Sequence, residues 1–408
     1  LEDATRGKGK KSASFPPAFA LNSSMIITTQ DRLEDFCETL KTQEFITIDT
    51  EFLREKTYYP KLCLIQVSTP DGHAAAIDPI GGASMDLSPI LDILFAPKIQ
   101  KVIHAGRQDL EIFYNLTGEV VTPFFDTQIA AMVCGYGDSV GYESLVRNIT
   151  GKSLDKSVQF TDWSRRPLSE RQIDYALGDV LHLIDLYKHL RAELDRRGRT
   201  EWVYEEEQIL AAPATYRSLP EEAWKRIKLR SPKPKMLAIL REIAAWRETR
   251  AQEKDIPRTW ILRDETLADI AAQAPETPEQ LAKIRGMNAE QAKGHVGKAI
   301  LDLIAKALES DKKDWPKPKQ REIIPSAATA AIDVLRMLLK VQAAEHGVAA
   351  KLIADGEDLE AIALHDNPDI PAMRGWRYEI FGREAVALKN GEIAIGLKGS
   401  KIVKHKVT

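Results

Sequence analysis

The chain has 408 residues, 44% hydrophobic and 29% charged, with 57 Lys and Arg against 60 Asp and Glu. That length exceeds one ordinary core, so two or three domains are expected. No apolar run approaches the roughly 18 residues of a membrane span, and a net charge of −3 does not by itself advertise a nucleic-acid partner. Cys37, Cys63 and Cys134 have no metal-ligand spacing; they are expected to be reduced thiols in a cytoplasmic protein.

Residues 1–24 carry Gly-Lys-Gly-Lys-Lys, two prolines and little periodicity. They lack the apolar stretch of a secretory signal, so they are expected to be a disordered extension or a cloning remnant, with regular pattern beginning at Met25. Phe45–Thr50, Leu62–Val67, Ala74–Ile77 and Lys101–His104 read as strands, and Leu87–Phe95 and Arg107–Leu116 as helices. From Thr127 onward the pattern is nearly all helical. The expectation is an α/β domain over 25–211, with a mixed sheet flanked by helices and active groups at strand ends.

The second half holds a repeat. Ile256-Pro-Arg-Thr-Trp-Ile-Leu-Arg-Asp-Glu-Thr-Leu-Ala-Asp-Ile-Ala271 is echoed by Val348-Ala-Ala-Lys-Leu-Ile-Ala-Asp-Gly-Glu-Asp-Leu-Glu-Ala-Ile-Ala363, an offset of 92 residues; Leu240 and Ile332 share it, and Arg285-Gly286 recurs as Arg374-Gly375. Two related helical modules are expected, over 212–311 and 312–408, the second degenerate. A break near Pro213–Pro234 precedes them, and Asp311-Lys-Lys-Asp-Trp-Pro-Lys-Pro-Lys319 separates them with a composition that stops a helix. Residues 216–250 hold ten Lys or Arg against four Glu, and 311–321 five against two Asp. These are either solvated faces or a surface that tracks phosphates.

Four acids carry the chemistry. Asp49 and Glu51 lie two apart on a strand, so they share one face while Ile46, Ile48 and Phe52 point to the core. Like charges so close destabilise the fold unless a cation sits between them. Asp109 falls in a helix's first turn, where an acid is common for dipole reasons alone, and His104 precedes it at a strand end. Leu110, Phe113 and Tyr114 form that helix's buried stripe, placing Asp109 at its edge. Ser169-Glu-Arg-Gln172 reads as a capping box that starts a helix with an Ile173, Ala176, Leu177, Val180, Ile184 stripe. Tyr175 and Asp179 are neighbours on another face of it. Gly178 between them costs about 1 kcal/mol relative to Ala, which suggests that a backbone or a substrate approaches there. Singly, each acid has a bland explanation as a solvated surface charge.

Together and in this order they resemble the Asp-Glu-Asp-Asp superfamily of 3′–5′ exonucleases, and within it the ribonuclease D family. Ile48-Asp-Thr-Glu-Phe52 is similar to the first exonuclease motif, His104 through Asp109 to the second, and Tyr175-x-x-x-Asp179 to the third, in its tyrosine-bearing variant. Tyr59-Pro-Lys-Leu-Cys-Leu-Ile-Gln66 and Phe160-Thr-Asp-Trp-Ser-Arg-Arg-Pro-Leu168 are further similar stretches. The helical repeats resemble the helicase-and-ribonuclease-D C-terminal (HRDC) domain, the second weakly. The resemblance extends from Met25 onward.

It implies a ribonuclease H-like exonuclease domain followed by two all-α modules. It also implies a two-metal mechanism with Mg²⁺ or Mn²⁺ held by Asp49, Glu51, Asp109 and Asp179. Asp49, Glu51 and Asp179 are assigned mainly to the ion that activates water. Asp49 is assigned as a bridge to a second ion that Asp109 reaches partly through water. Tyr175 would orient the attacking water. Glu51 and the backbone at Thr50 and Phe52 would meet the terminal 3′-hydroxyl, Phe52 and Leu53 would wedge against the last bases, and His104 and Gln108 would touch the scissile nucleotide. The substrate implied is RNA with a free 3′ end, tRNA precursors above all, with no membrane and no obligate protein partner. The basic stretch and the Arg285-Gly-Met287 turn would grip its body. Loss of residues 212–408 is then expected to weaken binding of structured RNA more than removal of single nucleotides. Two alternatives are a DNA exonuclease of the same superfamily and a non-catalytic RNA-binding scaffold. The absence of a phosphate-loop motif of helicases weighs against the first, and the intact acid set against the second.

Overall fold

The computed structural model describes residues 25–82, 84–154, 161–318 and 324–407. The expectation for residues 1–24, and Phe160 and Lys319 of the stretches above, lie outside these. A six-stranded sheet runs in the order β1 (Ile26–Ile27), β4 (Ala74–Ile77), β3 (Lys61–Ser68), β2 (Phe45–Leu53), β5 (Gln100–Ile103), β6 (Phe124–Asp126). β3 is antiparallel to both its neighbours and the other pairings are parallel. The sheet is mixed, as expected, but β1 and β6 are additional; strands of two and three residues are too short to leave a periodic signal.

Alternation along β2 decides what each helix covers. Ile46 and Ile48 enter one core with α1 (Gln30–Leu40), α2 (Ser88–Phe95) and α3 (Arg107–Thr117). On the other face Thr47 donates its hydroxyl to the Val180 carbonyl at 2.8 Å, beneath the helix α6 (Glu170–Arg197). The short helices α4 (Thr127–Val133) and α5 (Tyr142–Thr150) and the later α7 (Thr200–Ala211) complete that layer. α6 begins at the anticipated capping box: Ser169 accepts the Gln172 amide while Gln172 returns to the Ser169 amide at 3.0 Å.

The remainder is helical up to a C-terminal hairpin. α8 (Pro234–Lys254), α9 (Arg258–Ile261) and α10 (Asp264–Gln273) are followed by α11 (Pro278–Leu281), α12 (Ala289–Lys293) and α13 (His295–Glu309). α14 (Ser326–His346), α15 (Ala350–Ile353) and α16 (Gly356–Leu364) start 92 residues after α8, α9 and α10 respectively. The repeat is thus structural, and Leu240 and Ile332 are buried at equivalent points of separate cores. Beyond α17 (Gly375–Arg377) and α18 (Arg383–Lys389) the second copy departs from the first, ending in an antiparallel hairpin of β7 (Ile393–Lys398) and β8 (Lys401–Lys406). The second copy therefore adds strands to its helices. The signals were there: Ile393, Ile395 and Leu397 alternate, and Gly399 makes the turn at φ +63°.

The equivalent corners after α8 and α14 both grip the sheet domain. Asp255, in the left-handed region at φ +46°, accepts the Tyr58 and Tyr59 amides at 3.0 Å each. Its counterpart Gly347 offers its carbonyl to Arg197 and Arg199 at 3.3 and 3.4 Å. Trp202 stacks on Trp376 with ring centroids 4.4 Å apart, and Tyr216 is buried in the sheet domain's own core. A truncation after Ala211 would strip Tyr216 from that core and so perturb the sheet domain itself.

Candidate active site

Three acids meet on the α6 face of the sheet. Asp49 and Glu51 project from β2 on the same side, as their spacing requires, and Asp179 descends from α6. One carboxylate oxygen from each lies within 4.8 Å of the other two. A register shift between Glu51 and Phe52 ends the regular alternation. Phe52 therefore leaves the core face expected for it and lines the cleft with Leu53. The cleft, about 530 Å³ in volume, is lined by Asp49, Thr50, Glu51, Phe52, Leu53, His104, Gln108, Tyr175 and Asp179, among others. That volume is in the range of small-molecule sites.

Asp109 stands one step back. It is only 8% exposed, buried rather than at the edge of its helix, and its carboxylate accepts the Thr50 hydroxyl. It is not one of the three closely grouped acids, but its charge still reaches Asp49. The corner that aims it is built by Asp126, which caps α4 and accepts the Ala105 and Gly106 amides at 3.0 Å each. Ala105 is left-handed at φ +52°, a strained state for a residue with a side chain. A Cβ on Gly106 would meet Ile103 at 2.2 Å. This corner thus needs a glycine and a fixed carboxylate to turn β5 into α3.

The electrostatics follow from burial and crowding. Desolvation, then Asp109, Asp179 and Glu51, hold the Asp49 carboxyl well above the usual range. Burial and the neighbouring acids push Glu51 up to about 9. Burial pushes Asp179 up to about 7 against a hydrogen bond from Tyr175, and Asp109 up to about 6 against the Thr50 hydroxyl. A crowded group of carboxylates whose ionised forms are disfavoured is a site that a hard cation would stabilise, since its ligands are all oxygen. Tyr175 is also pushed up, by burial and then by Asp179, Glu51 and Asp49, so it remains a neutral phenol.

His104 lines the cleft with Nδ1 on the Thr127 hydroxyl at 2.9 Å, and the Val140 backbone is a further hydrogen-bonding neighbour of its ring. Burial lowers its pKa, so the ring is neutral. Gln108 is exposed at the mouth. A Cβ on Gly178 would meet no atom within 4 Å, so no protein backbone approaches there. Tyr142, Thr161, Trp163, Leu183, Arg54 and Glu55 complete the lining and were not anticipated. Tyr142 donates to the Asp179 carbonyl and packs edge-on to His104 at 5.2 Å. A lone aromatic at a helix start reads as core, so nothing in the sequence separated it. Trp163 did have a signal, the stretch ending at Leu168, and its ring lies 6.1 Å from Tyr175.

One surface expectation narrows. Arg226 pairs with buried Glu248, Arg247 with Asp264 and Arg241 with Glu242, so part of the basic stretch is spent inside its own module. In the Arg285-Gly-Met287 turn Met287 is buried while Arg285 and Gly286 are exposed; Gly286 sits at φ +88° and a Cβ there would meet the Thr266 hydroxyl at 2.3 Å. The three cysteines are free and buried, and no helix of the described residues is long and apolar enough to cross a membrane.

Residues 24–195 match the 3′–5′ exonuclease family and residues 236–304 the HRDC domain. The chain is 44% identical over 380 residues to ribonuclease D of Nitrobacter hamburgensis, covering 93% of this chain and 98% of that protein. It is 45% identical over 381 residues to ribonuclease D of Granulibacter bethesdensis, covering 93% and 96%. The crystal structure of Escherichia coli RNase D, described as an exoribonuclease involved in structured RNA processing, superposes with a TM-score of 0.77 at 33% identity, over 90% of this chain and 98% of that one. The order of the acids, the sheet that carries them and these full-length likenesses agree: the chain belongs to the ribonuclease D family of 3′–5′ exoribonucleases.

Proposed function

We propose that this enzyme removes nucleotides from the 3′ end of structured RNA, tRNA precursors above all, in the cytoplasm, using two divalent ions, Mg²⁺ or Mn²⁺. The observation that carries this is the convergence of Asp49, Glu51 and Asp179 oxygens within 4.8 Å at the floor of the cleft. Asp49, Glu51 and Asp179 would hold the ion next to the attacking water. Asp49 would be shared with a second ion that Asp109, steadied by Thr50, reaches partly through water. Bound divalent cations supply a lowered water pKa and charge for the attacking and leaving oxygens. Tyr175 stays protonated, so its role is to hold the water in line by hydrogen bonding and not to remove its proton.

Recognition of the end is assigned to the cleft walls. Glu51 and the backbone of Thr50 and Phe52 meet the terminal 3′-hydroxyl, and Phe52 and Leu53 press on the last bases. His104 and Gln108, both on the cleft wall, would touch the scissile nucleotide. The exonuclease unit is taken as 25–211 and the helical modules as 212–311 and 312–408, which grip the RNA body through exposed cations such as Lys228 and Arg230. No obligate protein partner is invoked. Digestion of 5′-labelled and 3′-labelled RNA tests the proposal. With Mg²⁺ the 5′ label should shorten stepwise while the 3′ label leaves at once as a nucleoside 5′-monophosphate. Endonucleolytic fragments, equal degradation of matched DNA, or turnover in chelator would overturn it.

A further inference from the structure

Gln66 is fully buried, and neither its amide nitrogen nor its amide oxygen has a hydrogen-bond partner among the described residues. Burying an amide without partners is costly, and such groups are rare enough to need a cause. Its position supplies one. Gln66 lies at the middle of β3, directly opposite Asp49 on β2 and Ala76 on β4. Residues directly opposite on antiparallel strands share a face, with Cβ atoms about 4.5–5.5 Å apart. The neighbours two residues away confirm which face this is. Leu64, opposite Glu51, packs with Ala176, Leu177 and Val180 of α6, and Thr47 bonds the Val180 carbonyl. Gln66 therefore stands between apolar groups on the acid-bearing side of the sheet, with the Asp49 carboxylate as its cross-strand neighbour. An apolar side chain of the same length would fill the space without the penalty.

We propose that Gln66 is a positioning residue for Asp49 in the cation-loaded enzyme: its amide, which has no partner among the described residues, would turn its N–H to the Asp49 carboxylate and fix the orientation in which that group reaches a cation together with Glu51 and Asp179. The inference rests on Asp49 being a cation ligand. It extends to this chain the general need of metal-binding carboxylates for a hydrogen-bonded support. A glutamine suits the task because it is neutral, so it adds no charge to a crowded acid group, and it offers two donors.

The test is calorimetric titration of Mg²⁺ into chelator-stripped full-length protein without RNA, for the wild type, Asp49→Asn, Gln66→Leu and Gln66→Met. Stability of each stripped protein and its kcat and KM on RNA at several Mg²⁺ levels are measured alongside. Both Gln66 variants should unfold at higher temperature than the wild type when stripped and bind Mg²⁺ about 10- to 100-fold more weakly. Their loss of kcat should recover as Mg²⁺ rises, with KM for RNA unchanged. Folded variants that bind Mg²⁺ as the wild type does would overturn the proposal while leaving the acid site intact. Failure of both to fold would make the amide purely structural and overturn it too. A wild type that binds no Mg²⁺, or an Asp49→Asn protein that binds it undiminished, would remove the underlying assignment of Asp49 as well.

Discussion

Replacing Asp179 by Asn should stabilise the chelator-stripped enzyme at alkaline pH. Asp179 titrates at about 7 in the folded chain against 3.8 for an unperturbed Asp. Its raised folded value means that the native state binds more protons than the unfolded chain between those two values. Stability is therefore fully present below the unfolded pKa and is lost as pH rises through about 7. At about 1.4 kcal/mol per unit, the full shift corresponds to on the order of 4 kcal/mol of lost stability at pH 8. Part of it returns when a neighbouring acid is protonated, so about 2–4 kcal/mol is the expected recovery on substitution. Asn keeps an oxygen to accept the Tyr175 hydroxyl, so little else is removed. Urea unfolding of both proteins in chelator at pH 5 and pH 8 reads the effect: by the same relation about 1.6 kcal/mol of the loss is already present at pH 5, so the variant's advantage should grow by roughly 1–3 kcal/mol from pH 5 to pH 8. Saturating Mg²⁺ should reverse the order, because it stabilises the wild-type carboxylates. A variant less stable than the wild type at pH 8 in chelator would refute the reasoning.

Tyr175→Phe should lower kcat by about 10²-fold with unchanged Mg²⁺ affinity in calorimetry, as expected of a group that orients water. Asp255→Ala removes the acceptor of two amides in the loop that follows Glu55 at the cleft rim, so turnover of a short oligonucleotide should fall, while Asp255→Asn, which keeps an acceptor and tolerates φ +46°, should retain it. Gly286→Ala forces a side chain against Thr266 at positive φ, and thermal unfolding should show a loss of more than about 1 kcal/mol. Combined Lys228→Ala and Arg230→Ala should weaken binding to structured RNA and reduce the slope of log affinity against log salt by about 1 to 2, with cleavage of a dinucleotide unchanged.

Much of the site could be read from spacing alone, because a strand's period of two and a helix's neighbours at four are rigid geometric facts. They placed Asp49 with Glu51, and Tyr175 with Asp179. Phe52 escaped that logic because a bulge interrupts the alternation, and nothing in Thr50-Glu51-Phe52-Leu53 marks one. Asp109 looked like a surface acid at a helix start; its burial depends on Thr50, 59 residues earlier, and on the corner built by Asp126. Gln66 lies within a stretch similar to the family's, yet a glutamine in an apolar strand carries no label until the partner strand shows what lies across from it. The repeat predicted α8–α10 and α14–α16 well because its periodicity is local. The terminal hairpin was overlooked because the expectation of a second helical copy overrode an alternating pattern. The basic stretch misled in part, since ion pairs such as Arg247–Asp264 bridge residues whose pairing composition does not reveal.

Anomalous diffraction from crystals soaked in Mn²⁺ would locate the bound ions directly. Two peaks are expected on the α6 face of the sheet, one bonded to oxygens of Asp49, Glu51 and Asp179 and a second sharing Asp49 on the side of Asp109. Crystals saturated with Mn²⁺ that bind it elsewhere, with no peak among these carboxylates, would contradict the account.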